Sequence, residues 1–169
     1  ITTDNMGDCW INDPANTNNW TARSAPTGSG GTGPSADHTS GSGNYAFLES
    51  SSCPTNTSNL WSGEMDVSAL TNPEARFWYQ ITAPDMGSLT LNASTERGTT
   101  WSASLWNQSG DQQDQWREAV IDMSAYAGAT SVIVRFEGTT GTSFTSDMAI
   151  DDFCVQEEPC INTTGTDVI

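Results

Sequence analysis

The feature that most constrains this chain is a two-residue alternation of apolar and polar side chains, recurring in short segments. In Arg76 to Thr82, Phe77, Tyr79 and Ile81 share one face, and Arg76, Trp78, Gln80 and Thr82 share the other. Ser88 to Ser94 sets Leu89, Leu91 and Ala93 against Thr90 and Asn92. Trp101 to Gln108 reads the same way, with Trp101, Ala103 and Leu105 opposite Ser102, Ser104, Trp106 and Gln108. Val132, Val134 and Phe136 alternate with Ser131, Ile133 and Arg135, and Met148 to Val155 closes the series. Turn chemistry separates the runs: Pro84-Asp85-Met86-Gly87, Glu96-Arg97-Gly98, Ser109-Gly110-Asp111, Ala127-Gly128 and Gly138 to Gly141.

A strand with one apolar face must bury it against a second layer. About seven such strands and little else therefore predict an all-β, two-sheet antiparallel jelly-roll β-sandwich. One segment is ambiguous. In Asp114 to Tyr126, Trp116, Ala119, Val120 and Met123 fit a helix, while Trp116, Val120 and Asp122 between turns fit a strand equally well. Before Tyr45 only a short edge strand near Asp4 is expected, followed by loop. Residues 1–160 form one domain in this reading, without an internal repeat, and 161–169 begin a polar linker or tail.

Charge narrows the partners. Acidic residues number 21 against five basic ones, all Arg, for a net charge of −16. Such a surface repels phosphate backbones and anionic lipid, and favours cations and neutral or basic partners. No apolar run approaches the roughly 20 residues a membrane span needs. The chain opens on neither a charged stretch nor an apolar one, so a signal peptide is expected to have been removed already. Four cysteines, the sequons at Asn19, Asn56, Asn92, Asn107 and Asn162, and abundant Ser and Thr mark an exported, secreted protein. Of the three pairings open to four cysteines, Cys9–Cys53 and Cys154–Cys160 are favoured, the second because Val-Gln-Glu-Glu-Pro can turn back on itself. Zinc-type C-x₂-C spacing is absent.

Catalytic constellations are missing. The chain has a single histidine, His38, and no nucleophile elbow, zinc-protease helix or phosphate loop. Carboxylate pairs exist at Asp151/Asp152, Asp111/Asp114 and Glu157/Glu158, but in so acidic a chain they read as solvated surface rather than a glycosidase pair. A non-enzymatic role is expected.

Two features remain for binding. The first is the Gly/Pro/Ser-rich loop from Ala25 to Gly43, which carries Asp37, His38 and Thr39 and is too long to be an idle connection. It needs an anchor: side-chain hydrogen bonds from Asp37, Ser40, Ser42 and Asn44, a cation, or packing under a sheet edge. Its expected partner is Asp147 to Phe153, with three carboxylates in six positions. The second is a pair of aromatics on polar faces, Trp78 and Trp106, with Gln80 and Asn92 nearby. A flat apolar ring beside amides is what a sugar platform requires. The alternative is that each Trp packs beneath a crossing loop.

The ordered set of these motifs resembles the MAM domain (meprin, A5 antigen, receptor phosphatase mu). It comprises Cys9-Trp10, Trp20, Thr32-Gly33-Pro34 before Asp37-His38-Thr39, Gly43, Tyr45 and Glu49. It continues with Phe77-Trp78-Tyr79, Gly87-x-Leu89, Leu105-Trp106, Ser109-Gly110, Trp116, Val134-x-Phe136-Glu137 and Ala149-Ile150-Asp151-Asp152. The resemblance implies an extracellular jelly-roll module for recognition or adhesion, docking a protein, a glycan or a neighbouring domain at the cell surface or matrix. A carbohydrate-binding module attached to a secreted glycosidase or protease is the alternative. Departures occur at the cysteines: the family's first Cys is missing, with Asp4 where the following Glu would stand, and its third is absent near Ala75. The family disulfide map therefore does not transfer, and the Lys-free, Ser/Thr-rich composition looks more like secreted bacterial relatives. Related jelly rolls carry a structural cation where the first and last strands meet. Asp4, Asp37, Asp151 and Asp152, oxygen donors from both termini and the long loop, are accordingly expected to hold Ca²⁺.

Overall fold

The computed structural model describes Met6 and residues 9–157. The described residues contain ten strands: β1 (Trp10–Asn12), β2 (Thr21–Arg23), β3 (Tyr45–Leu48), β4 (Thr57–Ser62), β5 (Glu74–Ile81), β6 (Ser88–Ser94), β7 (Trp106–Ser109), β8 (Arg117–Asp122), β9 (Ile133–Thr139) and β10 (Met148–Gln156). They build two five-stranded antiparallel sheets, β1-β4-β9-β6-β7 (sheet I) and β2-β3-β10-β5-β8 (sheet II). This is the jelly-roll sandwich expected from the alternation. The ambiguous segment resolves as β8 followed by a short 3₁₀ turn, Ser124–Tyr126.

The inward faces are those read from the sequence. Phe77 and Tyr79 of sheet II meet Phe136 and Trp106 of sheet I, with ring centroids 4.8 Å apart for Phe77–Phe136 and for Tyr79–Trp106. Trp10, Phe136 and Phe153 close one end of this cluster. Trp20 is fully buried and donates its Nε1–H to Ser58 O at 3.2 Å. Each such ring removes some 150–250 Å² from water, the dominant stabilising contribution in a sandwich of this size.

Three strands escaped the alternation reading, and β4 shows why. Its inward residues are Ser58, Leu60 and Ser62, and both serines are buried. They are tolerated there because the Ser58 hydroxyl donates to Asn18 O, and the Ser62 hydroxyl donates to Gly63 O while accepting Val134 N–H. A strand with polar residues facing inward carries no apolar period.

Two expectations are corrected. The run Trp101 to Gln108 is a strand only over Trp106–Ser109, and Trp106 faces the core rather than the polar side: it pairs in register with Leu91 and packs on Phe77 and Tyr79. The expected Cys9–Cys53 bridge is absent, since both are free thiols. Gly63 N–H donates to Cys9 O, which places Cys9 at one end of β4, whereas Cys53 O accepts the Thr140 hydroxyl at the other end. Six residues at about 3.3 Å each separate the two ends by about 20 Å, far beyond the ~7 Å limit between bridged Cα atoms. Cys154 is not among the free cysteines, and its expected partner Cys160 lies outside the described residues, as do Asp4 and the tail 161–169.

Candidate functional site

The outer face of sheet II carries the long loop. Tyr45 and Phe47 of β3 and Ala149 of β10 form a small buried apolar patch there, with Trp116 packed against it. An apolar patch outside the sandwich needs a cover, and residues 25–43 supply it. The Tyr45 hydroxyl donates to Ala25 O at 2.7 Å, Trp116 Nε1–H to Ala36 O at 3.2 Å, and the Thr32 hydroxyl to Thr145 O at 2.7 Å.

The loop's shape is fixed by Asp37. Its Oδ2 accepts Ser40 N–H and the Ser40 hydroxyl at 2.8 and 2.9 Å, and Oδ1 accepts Gly43 N–H at 2.8 Å. Burial alone would raise its pKa, but the Ser40 and Gly43 donors outweigh it and hold the carboxyl below the usual value. Next to it, His38 N–H donates to Asp151 Oδ2 at 2.8 Å, and His38 Nδ1 lies 2.8 Å from Asp152 Oδ2, which also accepts the Thr39 hydroxyl. The imidazole lies flat on Trp78, with centroids 3.7 Å apart and planes at 15°. Asp152 reaches the loop because β10 is irregular between Asp151 and Cys154, where Asp152 takes a left-handed φ of 51°. A bulge of this kind re-aims a side chain that would otherwise point into the core.

The structure thus brings Asp151 and Asp152 to His38, the chain neighbour of Asp37, and hydrogen bonds fasten the loop. Their fit to Ca²⁺ is poor. Asp37 and Asp151 spend their oxygens on protein donors, and of these three side chains Asp152 alone has an oxygen, Oδ1, without a donor among the described residues. Among the described residues no three His, Cys, Asp or Glu side chains gather as a metal set. The sugar-platform residues are dispersed as well. Trp78 has its ring face taken by His38, Gln80 is buried and donates to Asp114 Oδ1 at 2.6 Å, Trp106 is core, and Asn92 belongs to the other sheet.

Two clusters went unassigned in the sequence. On the outer face of sheet I, Trp61 and Trp101 meet with centroids 5.4 Å apart, and the Arg135 guanidinium lies 4.6 Å from the Trp101 ring centre. Arg135 donates to Asn92 Oδ1 at 3.1 Å and pairs with Glu137 at 3.2 Å. Trp61 Nε1, Arg135 Nε and Asn59 Oδ1 have no hydrogen-bond partner among the described residues. At the end of sheet II, Glu49 lies beside Asp147. Burial, reinforced by the Glu49 charge, pushes the Asp147 carboxyl up to about 7. In the sequence only the outward position of Trp61 beside polar neighbours hinted at the first cluster, and nothing hinted at the second.

The His38–Asp152 contact has the form of a general base and its orienting acid. Among the described residues, however, no hydroxyl or thiol nucleophile is hydrogen-bonded to the ring, which is held against Trp78. The arrangement works as a clasp. If the stack matters, His38→Ala and Trp78→Ala should each lower stability by about 1–2 kcal/mol and couple by about 1 kcal/mol in a double-mutant cycle. Strict additivity in urea unfolding would show that the rings do not act together.

Fold and clasp together define a two-sheet β-sandwich module with one long loop fastened across its outer face. The chain belongs to the MAM family: the family model described as "MAM domain, meprin/A5/mu" matches residues 3–161. Human MAM domain-containing protein 2 is 31% identical over 150 residues, covering 86% of this chain and 21% of that protein. Neuropilin-1 of Xenopus laevis is 30% identical over 124 residues, covering 73% of this chain and 13% of that protein. Human MAM domain-containing glycosylphosphatidylinositol anchor protein 1 is 30% identical over 152 residues, with 83% and 15% covered. The chain therefore spans only a small part of these relatives. They are vertebrate proteins and lend no support to the bacterial kinship expected from composition. The fold is shared with the K2 cleaved adhesin domain of Lys-gingipain, at TM-score 0.57 and 14% identity over 85% of this chain and 87% of that one. It is shared also with a carbohydrate-binding module of the β-sandwich superfamily, at TM-score 0.56 and 14% identity over 92% and 60%.

Proposed function

We propose that this chain is a non-catalytic extracellular recognition and adhesion module within a larger surface or secreted protein, docking a protein partner or a neighbouring domain. The observation that carries the reading is the clasp. Loop 25–43 spends its histidine and Asp37, together with Asp151 and Asp152 of β10, on holding a fixed outer surface, which is preorganisation for docking rather than a reaction centre. Membership of the MAM family and a relative named as a glycosylphosphatidylinositol anchor protein support the surface location. No helix among the described residues is long and apolar enough to cross a membrane.

A second reading, binding of a neutral glycan, draws support from the Trp61–Trp101–Arg135 face rather than from Trp78. Aromatic rings beside amides and a guanidinium suit a polyhydroxylated ligand, and a carbohydrate-binding module shares the fold. One paired experiment separates the two. The domain is applied to a glycan array and, coupled to beads, to bead-aggregation and cell-binding assays. The adhesion reading expects bead or cell binding without array signal. The glycan reading expects array signal that Trp101→Ala reduces at least tenfold and Trp78→Ala leaves largely intact.

A further inference from the structure

We propose that residues 95–101 form a hinged clamp, which opens to admit one pyranose ring of a neutral glycan between Trp101 and a floor of Trp61 and Arg135, then closes on it. The proposal rests on the glycan reading of this face and adds how a ligand reaches it. The spacing requires a movement. The Trp61 and Trp101 rings lie 5.4 Å apart at 57°, and the Arg135 guanidinium stands 4.6 Å from the Trp101 ring centre. A ring held between two others needs van der Waals contact on both sides, about 7–8 Å from one outer ring to the other. In this structure the aromatic faces are therefore closed on each other and on Arg135.

The loop is built to move as one piece. Its neck is fastened where Ser102 N–H donates to Ala93 O at 2.9 Å and Ala93 N–H donates to Ser102 Oγ at 3.1 Å. Beyond the neck the bonds are internal. Ser94 Oγ accepts Glu96 N–H and Gly98 N–H at 3.1 and 3.0 Å, Thr99 N–H donates to Glu96 O at 3.1 Å, and the Thr100 hydroxyl donates to Glu96 Oε2 at 2.7 Å. Left-handed φ angles at Arg97 (53°) and Gly98 (79°) make the tip a tight hairpin turn. Glu96, Arg97, Thr99 and Thr100 are all exposed. Among the described residues, one ion pair ties the loop to the chain beyond its neck, Arg97 Nε to Glu64 Oε1 at 3.4 Å. The Arg97 side chain is 77% exposed, so that tie is weak. The remaining holds are ring contacts: Trp101 on Trp61 and Arg135, and the tip on Trp61, where a Cβ at Gly98 would lie 3.4 Å from Trp61 Cζ3. An entering sugar ring would take over these same surfaces.

The floor favours a ligand with hydroxyls and no charge. Arg135 Nε and Trp61 Nε1 are buried donors, and Asn59 Oδ1 a buried acceptor, that have no hydrogen-bond partner among the described residues. Such groups destabilise the closed form, and a ligand hydroxyl can satisfy either kind. Glu137 balances the Arg135 charge at 3.2 Å, and the chain's net charge of −16 opposes anionic sugars.

The test labels the chain with fluorotryptophan and assigns the two signals from Trp61→Phe and Trp101→Phe. Fluorine relaxation dispersion then reads microsecond-to-millisecond exchange, first in the free chain and then with cellohexaose, xylohexaose or mannohexaose, each also titrated by calorimetry. Trp61 and Trp101 should exchange in the free chain, while the fully buried Trp20 stays static. Arg97→Ala should raise the open fraction about two- to fivefold, as loss of a weak surface pair would. At least one hexasaccharide should bind and suppress the exchange at Trp101. A static Trp101 would overturn the clamp, and a hexasaccharide that binds even so would leave the glycan reading standing. Exchange that no hexasaccharide suppresses would also overturn the clamp. Absence of binding both there and on the glycan array would overturn the glycan reading with it.

Discussion

Gly87→Ala lowers the melting temperature by about 8–16 °C, the equivalent of about 4 kcal/mol for a chain of this size. A Cβ at position 87 would lie 1.8 Å from Thr139 O and 2.8 Å from Thr140 C, both backbone atoms. Neither can step aside. Ser88, the next residue, pairs with Thr139 in the centre of sheet I, and Gly87 itself accepts Gly110 N–H at 3.1 Å. Relief of the clash would have to part β6 from β9. The control is Gly28→Ala, where an added Cβ meets nothing within 4 Å and the change should stay within about 0.5 kcal/mol. Equal chemical-denaturation midpoints for the two variants would disprove the crowding argument.

The second large effect falls on Asp37. Asp37→Ala removes the acceptor for Ser40 N–H, the Ser40 hydroxyl and Gly43 N–H together, and leaves two backbone donors beneath a folded loop. A loss of about 3 kcal/mol follows from the cost of unsatisfied donors to a charged group, which corresponds to about 6–12 °C. Asp37→Asn should lose less, because its carbonyl oxygen still accepts one donor. The pH dependence has a definite sign. The Asp37 carboxyl is held below its ordinary value of 3.8 in the folded chain, so its contribution is complete above that value. It is lost as pH falls through the lowered folded value. Wild type should therefore lose stability on acidification more steeply than Asp37→Ala, and parallel acid-melting curves would contradict this.

The long loop shows where sequence reasoning succeeds and where it stops. Its polar composition and length announced that it must be anchored, and the acidic run from Asp147 to Phe153 was its expected partner. The structure makes that connection through His38, Asp151 and Asp152. The kind of anchor was not legible. Aspartate oxygens look the same in a sequence whether they take N–H groups or a cation, and only donor positions distinguish the two. The same gap explains Cys9 and Cys53, whose free thiols follow from lying at opposite ends of β4 rather than from anything in their spacing.

Local alternation by itself determined the inward faces of β5, β6 and β9, because a side chain's face follows from its place in its own strand. It also determined the all-β class, since few residues outside such strands were left to form helices that could cover a sheet. Which outward residues meet was decided only by the tertiary structure. Trp78 is covered by His38 from 40 residues away, and Trp61 meets Trp101 across the loop after β6. Glu49 stands against Asp147 only because Leu48 pairs with Met148 rather than with a neighbour one position along. Such pairings depend on inter-strand register and loop closure, which are properties of the assembled sandwich. A one-residue slip would leave every local pattern in the sequence unchanged while turning each of these side chains to the opposite face.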